Sequence, residues 1–220
     1  MTDISNWNFY YKMTDKNPKS TSNLMYTPLI NPEGNIMCML WDEKSSYQKN
    51  NKNLTKDLID FFFVRELKYI NIFQKYNWAP RLLDVEDNKI FIEFSENSMN
   101  KIQYSGEKLI PSWKEQLFQI LKDIDDAGYY KMSLYPHCFY IVDDTIRTID
   151  FYACIEKNDC FIQRNKIEGM IGSDSTGRFD GSTIGDKIDF RIFIKKTMCE
   201  HLASVWNDNP FPEFYKRLYD

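Results

Sequence analysis

Histidine and glycine are scarce in this chain of 220 residues. The two His, His137 and His201, rule out a histidine-rich metal centre. The five Cys are Cys38, Cys138, Cys154, Cys160 and Cys199. Their number is odd and no C-x-x-C pair occurs, which argues against a disulfide scaffold or a zinc ribbon and for a reducing compartment. No dinucleotide-binding glycine pattern, H-E-x-x-H or G-x-S-x-G is present. No apolar run approaches the ~20 residues needed to span a bilayer. The densest patch, LIDFFFVREL, is broken by charge. The opening MTDISNWNFYYKMTDKN lacks a basic start and an uninterrupted apolar stretch, so no signal peptide is expected. The expectation is a soluble, cytoplasmic protein with no membrane partner.

Charge excludes a further class. Lys plus Arg number 28 against 32 Asp plus Glu, for a formal charge of -4. Such a chain is a poor binder of bulk nucleic acid, and no basic stripe interrupts the scattered Lys. What is abundant is apolar and aromatic: 43% hydrophobic and 16% aromatic residues predict a packed core. The length suits one domain or two small lobes. Lys outnumbers Arg 21 to 7, beside 18 Asn and 23 Ile. These residues are favoured by AT-rich codons and hint at a viral or AT-rich microbial source.

The first half reads as strands around one helix. Asn8 to Met13 is short and aromatic, as in an edge strand. LMYTPLI, the turn NPEGN and IMCMLWD read as a β-hairpin, with Pro28 expected at a bulge or edge. A long helix is predicted over 54–76, with Thr55 as its cap and Leu58, Phe62, Tyr69, Phe73 and Tyr76 near helical spacing. Pro80 helps stop it. RLLDV and KIFIEF around EDN read as a second hairpin. A polar stretch with Gly106 then resembles a linker. An amphipathic helix is predicted over 111–127, with the stripe Leu117, Ile120, Leu121 and Ile124 and an end at Gly128. Strands at 139–142 and 145–151 meet through Asp143 and Asp144. Residues 169–185 hold five of the eight Gly and read as a loop without the Lys-Ser/Thr ending of a phosphate loop. A long helix is predicted over 186–207.

Four local patterns carry a resemblance. Glu66 lies in the helix segment FFFVRELKYI. IFIEFSEN at 90–97 looks like a strand running into a hinge. AGYYKMSLYPHCFYIVDD at 127–144 looks like H-x-D-x-x-x-x-N followed by a strand. TIDFYA at 148–153 looks like D-F-G. In this order they resemble the bilobal protein-kinase-like fold, which includes protein kinases and aminoglycoside phosphotransferase-like enzymes. The resemblance implies an α+β fold. A small N-terminal lobe, residues 1–95, would hold an antiparallel sheet and one long helix. A reduced, mainly helical C-terminal lobe would span 96–220.

The same resemblance implies site residues. Ser133 and Asp150 fall at catalytic positions, and Asp150 at the Mg²⁺ ligand. Glu66, Ile92, Glu93, Ser95 and Cys138 fall around a nucleotide, with ATP and Mg²⁺ as the implied cofactors. Glu93 to Ser95 would offer backbone groups to an adenine edge. Departures are numerous. Lys131, Ser133, Cys138 and Tyr152 stand where the pattern has His, Asp, Asn and Gly, and IMCMLWD carries no Lys. A serine does not accept a proton at neutral pH as a carboxylate does, and a thiol suits a hard cation poorly.

Plainer readings stand beside these. Glu66 also reads as a solvated or locally paired charge, whereas its functional reading needs a Lys across the cleft, with Lys12 or Lys44 as candidates. Asp150 also reads as a strand-end carboxylate, His137 as a loop anchor, Cys138 as a core or loop thiol, and Phe61 to Phe63 as core. The expectation is a degenerate, pseudokinase-like protein with a binding or regulatory role. Its ligand would be a weakly held nucleotide in the interlobe cleft or a protein partner. Two alternatives remain open: an active atypical phosphotransferase acting on a small hydroxyl compound, and a structural or partner-binding protein with no cleft ligand.

Overall fold

The computed structural model describes residues 2–10, 26–42, 55–97, 110–131, 133, 134, 136–159, 161–163, 183, 184 and 187–189. The chain divides into two compact units. One is Met1–Leu109 with His137–Tyr152, and the other is Ile110–Pro136 with Ala153–Asp220.

The first unit is built on a five-stranded antiparallel sheet. Its strands are β1 (Asn8–Phe9), β2 (Thr27–Ile30), β3 (Ile36–Leu40), β4 (Leu82–Glu86) and β5 (Lys89–Glu93), in the spatial order β1-β2-β3-β5-β4. Helix α1 (Lys56–Phe73) lies between β3 and β4 in the chain. This is the sheet with one long helix that the resemblance implied. The β2–β3 turn is closed by Asn31, whose Oδ1 accepts from the N–H groups of Asn35 at 3.0 Å and Ile36 at 2.8 Å. Gly34 there has φ +75°, a left-handed conformation that a side chain disfavours. Pro28 sits in regular register opposite Met39, with no bulge. Its carbonyl accepts from Tyr10 N–H at 2.9 Å. Pro28 has no N–H to return that bond, and β1 ends one residue earlier, at Phe9.

Helix α1 is shorter at both ends than the pattern predicts. Thr55 caps it as expected, its side chain accepting from Leu58 N–H at 3.3 Å. The buried face is Ile59, Phe62, Glu66, Tyr69, Ile70 and Phe73, so Ile59 rather than Leu58 begins the stripe. Burying large apolar side chains is worth roughly 1.5–3 kcal/mol each, against about 1 kcal/mol for a cap. Packing therefore holds this helix in place. Phe62 is fully buried, while Phe61 and Phe63 are only half-buried and Val64 is exposed.

Three consecutive residues are buried in both β3 and β5, so both faces of the sheet are covered there. On the Cys38–Phe91 face, Trp7 meets Phe91 edge-on at 5.8 Å. The hairpin β7 (Phe139–Val142) and β8 (Thr145–Thr148) completes the unit. Asp143 and Asp144 form its two-residue turn at φ 48° and 57°, the left-handed pair that such turns require.

In the second unit, α2 (Trp113–Asp126) buries Leu117, Ile120, Leu121 and Ile124, the stripe read from the sequence. Gly128, at φ +88°, turns the chain into β6 (Tyr129–Lys131). β6 pairs with β9 (Cys154–Glu156), and Lys157 Nζ meets Asp125 Oδ1 at 2.5 Å. β10 (Phe161–Gln163), β11 (Thr183–Ile184) and β12 (Lys187–Asp189) form a small sheet in the order β10-β12-β11. Residues 187–189 are therefore a strand, not the start of the helix expected over 186–207. The run IDFRIFI alternates every second residue as well as it repeats helically, and the ladder with β10 decides the conformation. The rest of that predicted helix, most of the Gly-rich loop, Lys12 and Lys44 lie outside the described residues.

Candidate functional site

The chemistry-bearing residues of the first unit converge on Asp150. After β8 the chain runs through Ile149, whose N–H donates to the Cys138 carbonyl at 2.9 Å. Thr148 Oγ1 donates to the same carbonyl at 3.1 Å. These bonds fix the segment before Asp150 against the 3₁₀ turn Pro136–Cys138. Asp150 itself adopts φ 67° and leads into a second 3₁₀ turn, Phe151–Ala153. Asp and Asn tolerate this left-handed conformation better than most residues.

Asp150 is 2% exposed. Its Oδ1 accepts from the Tyr26 hydroxyl at 2.5 Å, and its Oδ2 from the Cys138 thiol at 3.1 Å. Burial, then the negative charges of Asp150 and Glu66, push the Tyr26 phenol well above the ordinary tyrosine range. Tyr26 therefore stays protonated and donates. Two residues on, α1 holds the backbone of Tyr152 from both sides. Glu66 Oε2 accepts from Tyr152 N–H at 2.5 Å, and Arg65 Nε donates to the Tyr152 carbonyl at 3.0 Å. Glu66 is fully buried, not solvated. The Arg65 guanidinium lies 5.2 Å from the Phe61 ring centre and 5.3 Å from that of Tyr69, the residues one helical turn to either side.

Aromatic rings surround these polar groups. Tyr26 packs on Trp41 at 5.0 Å, and Trp41 meets Tyr152 edge-on at 5.8 Å. Phe62 meets Tyr152 at 5.6 Å. Phe151 is fully buried against Phe73 at 5.4 Å. Glu66, Cys138 and Asp150 thus come together.

The adenine-edge candidates lie elsewhere, at the end of β5. Ile92 is fully buried and pairs with Met37. Glu93 N–H donates to the Arg81 carbonyl at 2.9 Å, and its own carbonyl accepts from the Tyr140 hydroxyl at 3.0 Å. Its carboxylate pairs with Arg147 at 2.8 Å. Phe94 N–H donates to the Asn35 carbonyl at 2.9 Å. Ser95 Oγ accepts from Asn97 N–H at 3.2 Å. Ser133 is buried and belongs to the second unit, between β6 and the turn at Pro136.

Sequence reasoning missed Tyr26, Trp41, Arg65 and Tyr140. One signal was available, because a tyrosine placed in an apolar run buries a hydroxyl that needs a partner. Nothing in the sequence says which acceptor it finds.

The fit of a divalent cation follows from the donor set. Among the described residues no three His, Cys, Asp or Glu side chains group as metal ligands. Asp150 has engaged both oxygens, one of them with a soft thiol. Magnesium needs near-octahedral oxygen coordination at about 2.0–2.1 Å. The described residues around Asp150 do not fit it.

No protein-family model matches the chain. No curated protein matches it either. Solved structures of WbdD, a bifunctional kinase-methyltransferase, do match. One, with its C-terminal bundle ordered, aligns at TM-score 0.50 and 14% identity over 70% of this chain and 31% of that one. A second gives 0.49 and 14% over 70% and 35%. A complex of WbdD with a kinase inhibitor gives 0.46 and 12% over 89% and 43%. This chain spans less than half the length of each. At such identities the likeness shows fold alone, and that fold is protein-kinase-like.

Proposed function

We propose that this chain is a degenerate, pseudokinase-like protein that works by binding or regulation rather than by phosphoryl transfer. One observation carries the reading. The carboxylate at the expected metal position, Asp150, bonds to a tyrosine hydroxyl at one oxygen and a cysteine thiol at the other. Phosphoryl transfer rests on positioning and on charge neutralisation by metal ions and Lys. A carboxylate bonded in this way is poorly placed to hold the ion. Ser133, at the position of the base, adds support, because a hydroxyl is a weak proton acceptor near neutral pH. Glu93 and Phe94 also spend the backbone groups expected to meet adenine on Arg81, Tyr140 and Asn35. Any nucleotide would then be held weakly, and a protein partner is the stronger candidate.

The test is ATP turnover by the whole chain with Mg²⁺, run beside Asp150→Asn. Turnover at background in both supports the reading. Turnover that disappears in Asp150→Asn would sink it and favour an atypical phosphotransferase acting on a small hydroxyl compound.

A further inference from the structure

We infer that Tyr26 takes the place of a divalent cation at Asp150, as part of a metal-free clasp joining the segment entering β2, helix α1, the Pro136–Cys138 turn and the chain after β8. The inference deepens the pseudokinase-like reading, resting on its placement of Asp150 at the metal position and on nothing about turnover.

The geometry is that of two donors converging on one buried carboxylate. Tyr26 hydroxyl and Cys138 thiol converge on the two oxygens of Asp150 at 2.5 and 3.1 Å. Glu66, the other carboxylate of the cluster, holds the amide two residues further on at 2.5 Å. A hydroxyl donating to a carboxylate oxygen makes a short, charge-assisted bond. It places a partial positive charge where a metal ion would place a full one.

The hydroxyl is not free to step aside for an ion. Tyr26 is 1% exposed, and its ring packs at a tilt on Trp41, which is 2% exposed. Trp41 in turn packs on Phe63 and Tyr152. Moving the hydroxyl means moving a close-packed aromatic group, and interiors tolerate such shifts poorly. A bare Tyr26→Phe change removes the hydroxyl and leaves the ring. The clasp therefore predicts two separable effects: loss of a bond to a buried carboxylate, and no dependence of the wild-type cluster on metal.

The experiment uses the full chain and Mn²⁺ alone as the probe, without nucleotide. Bound Mn²⁺ is counted by electron paramagnetic resonance. Amide exchange at Tyr152 and the melting temperature are followed in chelator and in millimolar Mn²⁺. The expected wild-type result is no retained Mn²⁺ and unchanged exchange at Tyr152. Tyr26→Phe is expected to melt about 4–8 °C lower and to exchange Tyr152 about tenfold faster or more. Stoichiometric Mn²⁺ bound by the wild type and lost in Asp150→Asn overturns the inference. So does a Tyr26→Phe protein with wild-type melting and exchange. Should Tyr26→Phe not fold, the wild-type Mn²⁺ and exchange measurements decide alone. Mn²⁺ binding without ATP turnover would defeat the clasp and spare the proposed function. Turnover without Mn²⁺ at Asp150 would do the reverse.

Discussion

Two acidic residues of the first unit are each met by a tyrosine hydroxyl, and they are stabilised in opposite ways. Asp150 is buried in an aromatic cage, and its carboxylate accepts from Tyr26 and Cys138. At Glu93 the hydroxyl of Tyr140 goes to the backbone carbonyl, and the half-exposed carboxylate faces Arg147 at 2.8 Å. In the interior, a carboxylate depends on donors aimed at it, because losing one leaves a charge with little solvent to replace it. At the half-buried Glu93–Arg147 pair less is at stake, because the rest of each side chain still reaches water. The contrast shows where the first unit places its buried polar contacts: at Asp150, which a hydroxyl and a thiol both meet.

The sharpest way to break the comparison is to remove each acid's main contact. Asp150→Ala should cost the most, about 3–4 kcal/mol, since it strands the Tyr26 hydroxyl and puts a Cβ-only side chain on a left-handed backbone. Denaturant unfolding measures this, and a loss under about 1 kcal/mol would show that the cluster is not structural.

Alkaline pH comes next. The folded-state pKa of Tyr26 is raised, so the protonated phenol contributes stability fully below its unfolded value near 10, and that stability drains away as pH rises above it. Burial also raises Tyr140, but there the charge of Arg147 opposes the shift. Cys38, buried and pushed up from 9.0 to about 12, adds a loss that begins near pH 9. Stability should therefore fall with pH from about 9 upward. Tyr26→Phe and Tyr140→Phe should each flatten the fall above pH 10, since burial pushes both phenols up. An unchanged slope in Tyr26→Phe would show that the Tyr26 hydroxyl titrates in the folded protein as it does in the unfolded chain.

The smallest effect is expected at the ion pair. Arg147→Ala should cost about 1 kcal/mol and lose most of that difference from wild type in high salt. A salt-independent loss of several kcal/mol would place Glu93 in the same class as Asp150.

The α2 stripe Leu117, Ile120, Leu121 and Ile124, the Thr55 cap and the Asp143–Asp144 turn were legible because their causes are local: helical spacing, a side-chain cap, a turn conformation. The strand at Lys187–Asp189 was not, because its run satisfies two periodicities and only β10 selects between them. Glu66 and Asp150 could be singled out by pattern, but the burial of Glu66 and its bond to Tyr152 could not. Those partners lie 86 and more positions apart in the chain.

The order of elements from β2 to β5, the α2 stripe, the Thr55 cap and the Asp143–Asp144 turn belong to the sequence alone, since each arises within a few residues of backbone. The donors on Asp150 belong to the tertiary structure, since a hydroxyl 124 positions away is brought to a carboxylate only after β2, α1 and the segment beyond β8 have packed. Short-range sterics write the first. The second waits on burial, which strips both groups of water and leaves each the other's partner.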